Sequence, residues 1–451
     1  MAVRGCCVFG GHVFLLLALF PCGRADIAPL TKLTDPAARC MDGTLSGFYH
    51  QRATAPESKA RWVIHMQGGG ECVDSVQCAR RFKTSLASSD YFPDYINLTY
   101  DPAHSKRRAL SHSDAAAQQE APGGGGPDMN CRWDKFGWWL CDDNPDTNPE
   151  LYGYHHVWLP YCSGDLWSGQ KLTATSLPMP DGAIPGDAAN VSVYFSGHFI
   201  LGAALEALDD LGLDDAELIV ISGNSAGAIG MWLSIDYINE RYTNAFVVGV
   251  SIAGFYAYSF PYTGPGATDP NNGLADFGEA AWPSHVKLWD SYMNKRCVKK
   301  NKANYWACML ANYSYPYVVT PIFIAEAQTD SLQLDAHNQL PAPDQWGKDA
   351  LDYIKAFGDN MTRSLQAVPQ VSNGVVEQGV HGVFAPACFV HDDFTMAAPL
   401  MDNVSFKGRL IEWLGLGENV TKASFTMDTC GTMCNPSCTN PTPPPPPPPQ
   451  R

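Results

Sequence analysis

Glu217-Leu218-Ile219-Val220-Ile221-Ser222-Gly223-Asn224-Ser225-Ala226-Gly227-Ala228-Ile229-Gly230-Met231-Trp232-Leu233-Ser234-Ile235 is the stretch that decides the fold. Residues 217–222 form a short, β-branched apolar run, which predicts a buried strand. Residues 228–235 are small or apolar with no breaker, which predicts a helix packed on a sheet. Between them stands Gly-x-Ser-x-Gly, and strand, sharp turn and helix in that order are the setting of a nucleophile elbow. Such a turn is strained, so the neighbours of the serine must lack bulk, as Gly223, Ala226 and Gly227 do. It lifts the Ser225 hydroxyl off the sheet edge and aims the Ala226 amide and the helix N-terminus at whatever that hydroxyl attacks. A glycine-rich turn without chemistry is the plain alternative, and the flanking strand and helix argue against it.

Upstream, residues 46–51 and 61–66 read as two strands around a turn at 56–59. The second runs into Gln67-Gly68-Gly69-Gly70-Glu71-Cys72, where a triple glycine lets the backbone approach a ligand and supply the other half of an oxyanion hole. Further strands are expected at 155–162, 244–253, 321–327 and 382–388, and helices at 199–211, 353–365 and 406–416. His155 and His156 fall on opposite faces of their strand, so they cannot share a metal. Strands alternating with helices predict an α/β fold, a mostly parallel central sheet with helices on both faces. Residues 26–40 read as an entry segment, 254–283 as a cap or loop region, and 85–126 as a surface excursion with a mobile insert at 104–128. Residues 26–440 are expected to form one domain.

Residues 1–25 have the form of a secretory leader: Arg4, an apolar core at 13–20, and Gly23-Arg24-Ala25. No later run is long and apolar enough to span a bilayer, so an exported protein without stable membrane insertion is expected. Fifteen cysteines fit an oxidising compartment, and twelve lie beyond the leader, enough for six disulfides. Cys72 with Cys78, Cys131 with Cys141 and Cys297 with Cys308 are spaced for local loops. A zinc site is the competing use of Cys430, Cys434 and Cys438, disfavoured by the oxidising compartment and by the lack of a nearby histidine. The aromatic-rich segment 131–141 reads as core. Sequons stand at Asn97, Asn190, Asn312, Asn360, Asn403 and Asn419. A formal charge of −16 with no basic stripe excludes nucleic acid as a partner. The tail at 441–451 contains seven consecutive prolines and forms an extended spacer outside the fold.

A serine nucleophile needs a base within reach and a carboxylate to orient that base. In hydrolases of this topology they follow in the order Ser, Asp, His, each after a later strand. Asp330 follows a predicted strand and is preferred over Asp276 and Asp392; His391 and His381 both remain as the base.

Four blocks together carry a resemblance: Gly68-Gly69-Gly70-Glu71-Cys72; residues 160–169, Pro-Tyr-Cys-Ser-Gly-Asp-Leu-Trp-Ser-Gly; the elbow with Asp236 downstream; and residues 384–391, Phe-Ala-Pro-Ala-Cys-Phe-Val-His. With these blocks the chain resembles the pectin acetylesterase family, which includes the plant wall esterases and the animal carboxylesterase Notum. The resemblance implies an α/β-hydrolase-like serine esterase that needs no cofactor or metal. By position it makes Ser225 the nucleophile, Asp330 the acid and His391, not His381, the base, with the amides of Gly69, Gly70 and Ala226 as oxyanion donors. It implies an acetylated polysaccharide or an acylated protein as substrate, and extracellular or cell-wall location. Gly70-Glu71 stand where the family usually has a tryptophan after the glycines, and the block 325–333 matches the family's acid pattern only through Asp330 and Gln333. A secreted binding protein with a decayed triad is the reading from another class.

Overall fold

The computed structural model describes residues 27–97, 148–180, 189–267, 281–371, 381–394, 398–415 and 425–441. In chain order the strands are β1 (Ile27–Lys32), β2 (Gly47–Gln51), β3 (Arg61–Met66), β4 (Tyr95–Asn97), β5 (His155–Leu159), β6 (Thr175–Pro178), β7 (Asn190–Val193), β8 (Leu218–Asn224), β9 (Phe246–Ile252), β10 (Ile322–Ala325), β11 (Gly382–Ala385), β12 (Leu400–Met401), β13 (Val404–Ser405) and β14 (Phe425–Met427). Ten of them make one sheet in the order β14-β11-β10-β9-β8-β3-β5-β2-β1-β4. From β14 to β5 every pairing is parallel; β2, β1 and β4 close the far side antiparallel.

Alternation along the strands places a core on each face. Trp62, Ile64 and Met66 of β3 and Ile219 and Ile221 of β8 join the larger cluster, with Ile229, Leu233, Leu201 and Leu205 from the helices Ala226–Arg241 and Gly197–Asp209. Val63, Val220, Val248 and Val250 turn to the other face, onto Phe406, Leu410 and Ile411 of the helix Phe406–Leu414. Burial on both faces is why these strands read as unbroken apolar runs.

The expected strands and helices appear, with shifted ends. The helix expected at 353–365 runs from Lys348 to Val371, its added first turn being charged and its added last turn interrupted by Pro369 in the sequence. The entry segment is in fact β1, hidden from a sequence reading by Pro29 inside the run. The surface excursion is also corrected over its first part: Ala87, Phe92 and Ile96 are buried, and β4 pairs with β1. The leader, the insert at 104–128, the segment 131–141 with its cysteine pair, Asp276, Asn419 and the tail from residue 442 lie outside the described residues.

Cys72–Cys78 and Cys297–Cys308 are bonded as their spacing suggested, and Cys40–Cys162, Cys388–Cys438 and Cys430–Cys434 are bonded as well. The last two use the thiols that a zinc site would need. Asn190 and Asn403 are exposed, whereas Asn312 and Asn360 are half-buried with their side chains bonded to the Tyr258 backbone. His155 bonds His50 and stacks on Trp62, while His156 turns away to the Leu151 carbonyl. Among the described residues no helix is long and apolar enough to cross a membrane.

Candidate active site

Five adjacent parallel strands send their carboxyl ends to one place. β3 ends in the glycine loop, β8 in Ser225, β9 in residues 253–256, β10 in the turn holding Asp330 and β11 in the turn holding His391.

Ser225 has φ 50° and ψ −124°, a conformation that L-residues avoid, between β8 and the helix Ala226–Arg241. Its amide donates to the Ile252 carbonyl at 2.9 Å and its carbonyl accepts from Ile229 at 3.1 Å, so the strain is held from both sides. The flanking glycines are sterically required. A Cβ on Gly223 would lie 2.4 Å from the Gly227 carbonyl, and one on Gly227 would lie 2.0 Å from the Met66 oxygen.

Asn224, the variable residue of the motif, joins three segments. Its Oδ1 accepts from the Gly68 amide at 3.1 Å and lies 3.2 Å from His65 Nε2; its Nδ2 donates to Asp392 Oδ2 at 2.9 Å. Burial holds the His65 imidazole down at about 4, so it is neutral.

Gly69 and Gly70 have φ of +148° and +64°. Arg81, on the helix Ser75–Arg81, donates from Nη1 to the Gly69 carbonyl and from Nη2 to the Glu71 carbonyl, both at 2.8 Å. The Cys72–Cys78 bond ties that helix to the loop. Trp167 Nε1 donates to the Gln67 carbonyl at 3.0 Å, and buried Asp165 takes the Gly197 amide and the Ser163 hydroxyl, so the 160–169 block buttresses the loop from behind. The amides of Gly69, Gly70 and Ala226 donate to no described residue.

Asp330 is fully buried; its Oδ1 accepts from the Gln333 amide at 2.9 Å and its Oδ2 lies 2.7 Å from His391 Nδ1. Burial pulls the His391 imidazole down, but the Asp330 and Asp392 carboxylates outweigh it and lift the group to about 9. Burial pushes the Asp392 carboxyl up to about 6. His391 Nε2 is buried, has no hydrogen-bond partner among the described residues and stands 3.7 Å from Asp392 Oδ2. The Ser225 hydroxyl is bonded instead to the phenol of Tyr256, whose ring lies 6.5 Å from that of His391.

The competing residues have other work. His381 precedes β11, at the opposite end of the sheet; its Nδ1 accepts from the Ile322 amide at 3.1 Å, and burial holds it at about 4. Asp236 accepts from Val319, Thr320, Asn294 and Arg296, clamping loops far from Ser225 in sequence. Tyr256, Asn224 and Arg81 belong to the site but carry no motif signal of their own, since their partners are set by the fold.

Two further polar side chains lie beside Tyr256. Tyr256 packs edge-on to His337 at 5.3 Å, and Glu71 Oε1 lies 3.9 Å from His337 Nδ1. Burial raises the Glu71 carboxyl to about 7, against the pull of Arg81.

A mostly parallel sheet that presents a strained serine between its central strand and the following helix defines the α/β-hydrolase-like class. A crystal structure of the Wnt deacylase Notum from Drosophila is similar in fold, with a TM-score of 0.66 at 24% identity over 91% of this chain and 99% of that one. The chain belongs to the pectinacetylesterase family, whose model matches residues 24–108 and 124–439. Among its relatives, the palmitoleoyl-protein carboxylesterase notum1a of Danio rerio is 25% identical over 84% of this chain and 64% of its own length. The palmitoleoyl-protein carboxylesterase NOTUM of Drosophila melanogaster is 27% identical over 80% of this chain, which spans 44% of that relative. Pectin acetylesterase 5 of Arabidopsis thaliana is 22% identical over 89% of this chain and 82% of its own length.

Proposed function

We propose that the chain is a secreted serine carboxylesterase that removes acetyl groups from polysaccharide through Ser225, His391 and Asp330. The observation that carries this reading is the Asp330–His391 pair, whose loop is tied through Asp392 to Asn224 beside a strained elbow serine. In the scheme, rotation about the Ser225 Cα–Cβ bond moves its hydroxyl from Tyr256 to His391 Nε2. Catalytic hydrogen bonds of this kind often form only once substrate is bound. Nε2 takes the serine proton as Oγ attacks the ester carbonyl, and Asp330 steadies the imidazolium. The amides of Gly69, Gly70 and Ala226 hold the oxyanion, each worth about 3 kcal/mol. The same imidazolium protonates the leaving alcohol, and water then releases acetate from the acyl-enzyme.

Polar side chains near the serine support a small acyl group. Tyr256 bonds Ser225 and packs on His337, which lies 3.9 Å from Glu71, and a long alkyl chain gains less against such polar groups than against an apolar wall. The second reading, removal of a fatty acyl ester from a protein, is supported by the names of the relatives from Danio and Drosophila. Rates on p-nitrophenyl esters from acetate upward, and on acetylated pectin, separate the two. Acetate should be the best of the series, and Ser225→Ala should lower its rate by about 10⁴-fold or more. A long-chain optimum moves the assignment to the second reading. Equal rates for wild type and Ser225→Ala would leave only a binding protein.

A further inference from the structure

Behind Asp330 lies a second carboxyl that the scheme above does not use. Glu326 follows β10 and is fully buried, as Asp330 is. Its Oε2 accepts from the Phe255 amide at 2.7 Å and its Oε1 from Gln333 Nε2 at 3.2 Å. Gln333 also donates its backbone amide to Asp330 Oδ1 at 2.9 Å, so one residue grips both carboxyls. Gripped by the same residue, the two carboxyls are held beside each other, and Asp330 is the charge that acts most strongly on Glu326. Two carboxyl groups touch favourably in a dry interior only when one of them carries a proton. Asp330 already faces the His391 imidazole, which favours its charged form. The proton therefore belongs on Glu326.

We propose that Glu326 is a positioning residue for the reaction at Ser225: an uncharged carboxylic acid that donates its proton in a hydrogen bond to Asp330 and so fixes that carboxylate on His391. The proposal rests on the Ser225–His391–Asp330 reading. Burial first, and the Asp330 charge second, hold the Glu326 carboxyl far above the usual carboxylate range. The groups facing it are Asp330 on its own turn, Asp392 beside His391 on the loop after β11, Tyr256 on the loop after β9, and the Tyr315 phenol. Glu326 also holds the Phe255 amide, next to the tyrosine that bonds Ser225.

The test is the acid limb of kcat/KM against pH on p-nitrophenyl acetate, which reports the His391 proton. Glu326→Gln replaces a neutral acid by a neutral amide with a donor, so the limb keeps its midpoint. Glu326→Leu removes the donor, leaves Asp330 more basic and moves the midpoint up by about one pH unit, with rates at neutral pH lower by about tenfold. If Glu326 were charged, Glu326→Gln would delete a negative charge near the imidazole and the limb would shift to lower pH; that result overturns the proposal. An unmoved limb in Glu326→Leu overturns it too. Should Glu326→Leu fail to fold, Glu326→Gln decides alone. Ser225→Ala is the control: residual activity at the wild-type level sinks the triad reading, whereas a dead Ser225→Ala with a shifted Glu326→Gln limb sinks only the role of Glu326.

Discussion

At the scale of single residues, His391 is where opposing effects are most evenly matched. Burial favours the neutral ring, and two carboxylates favour the charged one; the charges win, which places the imidazole at about 9. An imidazole held that high is mostly protonated at neutral pH, so with His391 as the proposed base kcat/KM should climb with pH until that ring has lost its proton. Asp330 is bonded to Nδ1, where the proposed scheme uses it to orient the ring, whereas Asp392 lies 3.7 Å from Nε2 and only adds charge there. Asp392→Asn should therefore move the acid limb to lower pH, by about one unit for a charge at that range. Its amide oxygen can still accept from Asn224, so the loop keeps its tie. A limb that stays in place in Asp392→Asn would show that Asp392 does not act on the imidazole.

At the scale of elements, the glycine loop is held rather than merely permitted. Arg81 holds the carbonyls of Gly69 and Glu71, which fixes the orientation of the Gly70 and Glu71 peptide units between them. Each charge-assisted bond of this type is worth about 1.5–3 kcal/mol. Arg81→Met keeps the side-chain bulk and removes both bonds, so the fold should survive while the amides drift. A drift of about 1 Å in such a site costs on the order of 100-fold, read as a fall in kcat with little change in KM and an unchanged far-ultraviolet spectrum. Wild-type kcat in Arg81→Met would mean that the disulfide alone sets the loop. Arg81 also marks where sequence reading stops. The elbow is contiguous, so the steric needs of Gly223 and Gly227 are written beside Ser225 and can be read directly. Asp330 and His391 could be singled out because each lies in the loop that follows a strand whose apolar run is plain. Arg81 looks like any charged helix residue, Asn224 fills the free position of a motif, and Glu326 sits in a run read as strand. What these three do depends on which strands become neighbours, as with the Asn224–Asp392 bond that joins the ends of β8 and β11 across the sheet. The strand β1 escaped for a different reason, since Pro29 contradicts local strand propensity and only pairing with β2 and β4 overrides it.

For the whole molecule, the same buried charges set how stability varies with pH, and they set it against activity. His391 is raised from 6.5 to about 9 on folding, so the stability it lends is complete below pH 6.5 and is lost as pH rises through 9. That span corresponds to roughly 3 kcal/mol. Glu71, Asp165, Asp335 and Asp392 act in the same sense at lower pH: burial lifts them to about 6 or 7, so folding loses their contribution as pH rises from the ordinary carboxylate range to neutrality. His65, His198, His285 and His381 oppose them, because burial lowers each to about 4 and their contribution is lost as pH falls from 6.5 to 4. Carboxyls and histidines largely offset each other between pH 4 and 6.5, whereas above pH 7 the contributions of His391 and of the raised Glu326 are still falling. The melting temperature should thus decline from pH 7 to 9, over the interval in which kcat/KM is still climbing. His391→Ala removes the titrating ring; it should lower the melting temperature at pH 7, where Asp330 loses its partner, and make the slope from pH 7 to 9 shallower, leaving the part due to Glu326. Parallel slopes for wild type and His391→Ala in a thermal-denaturation series would show that the stability lost at alkaline pH comes from some other group, and that the Asp330–His391 pair does not hold its proton as tightly as its burial and geometry require.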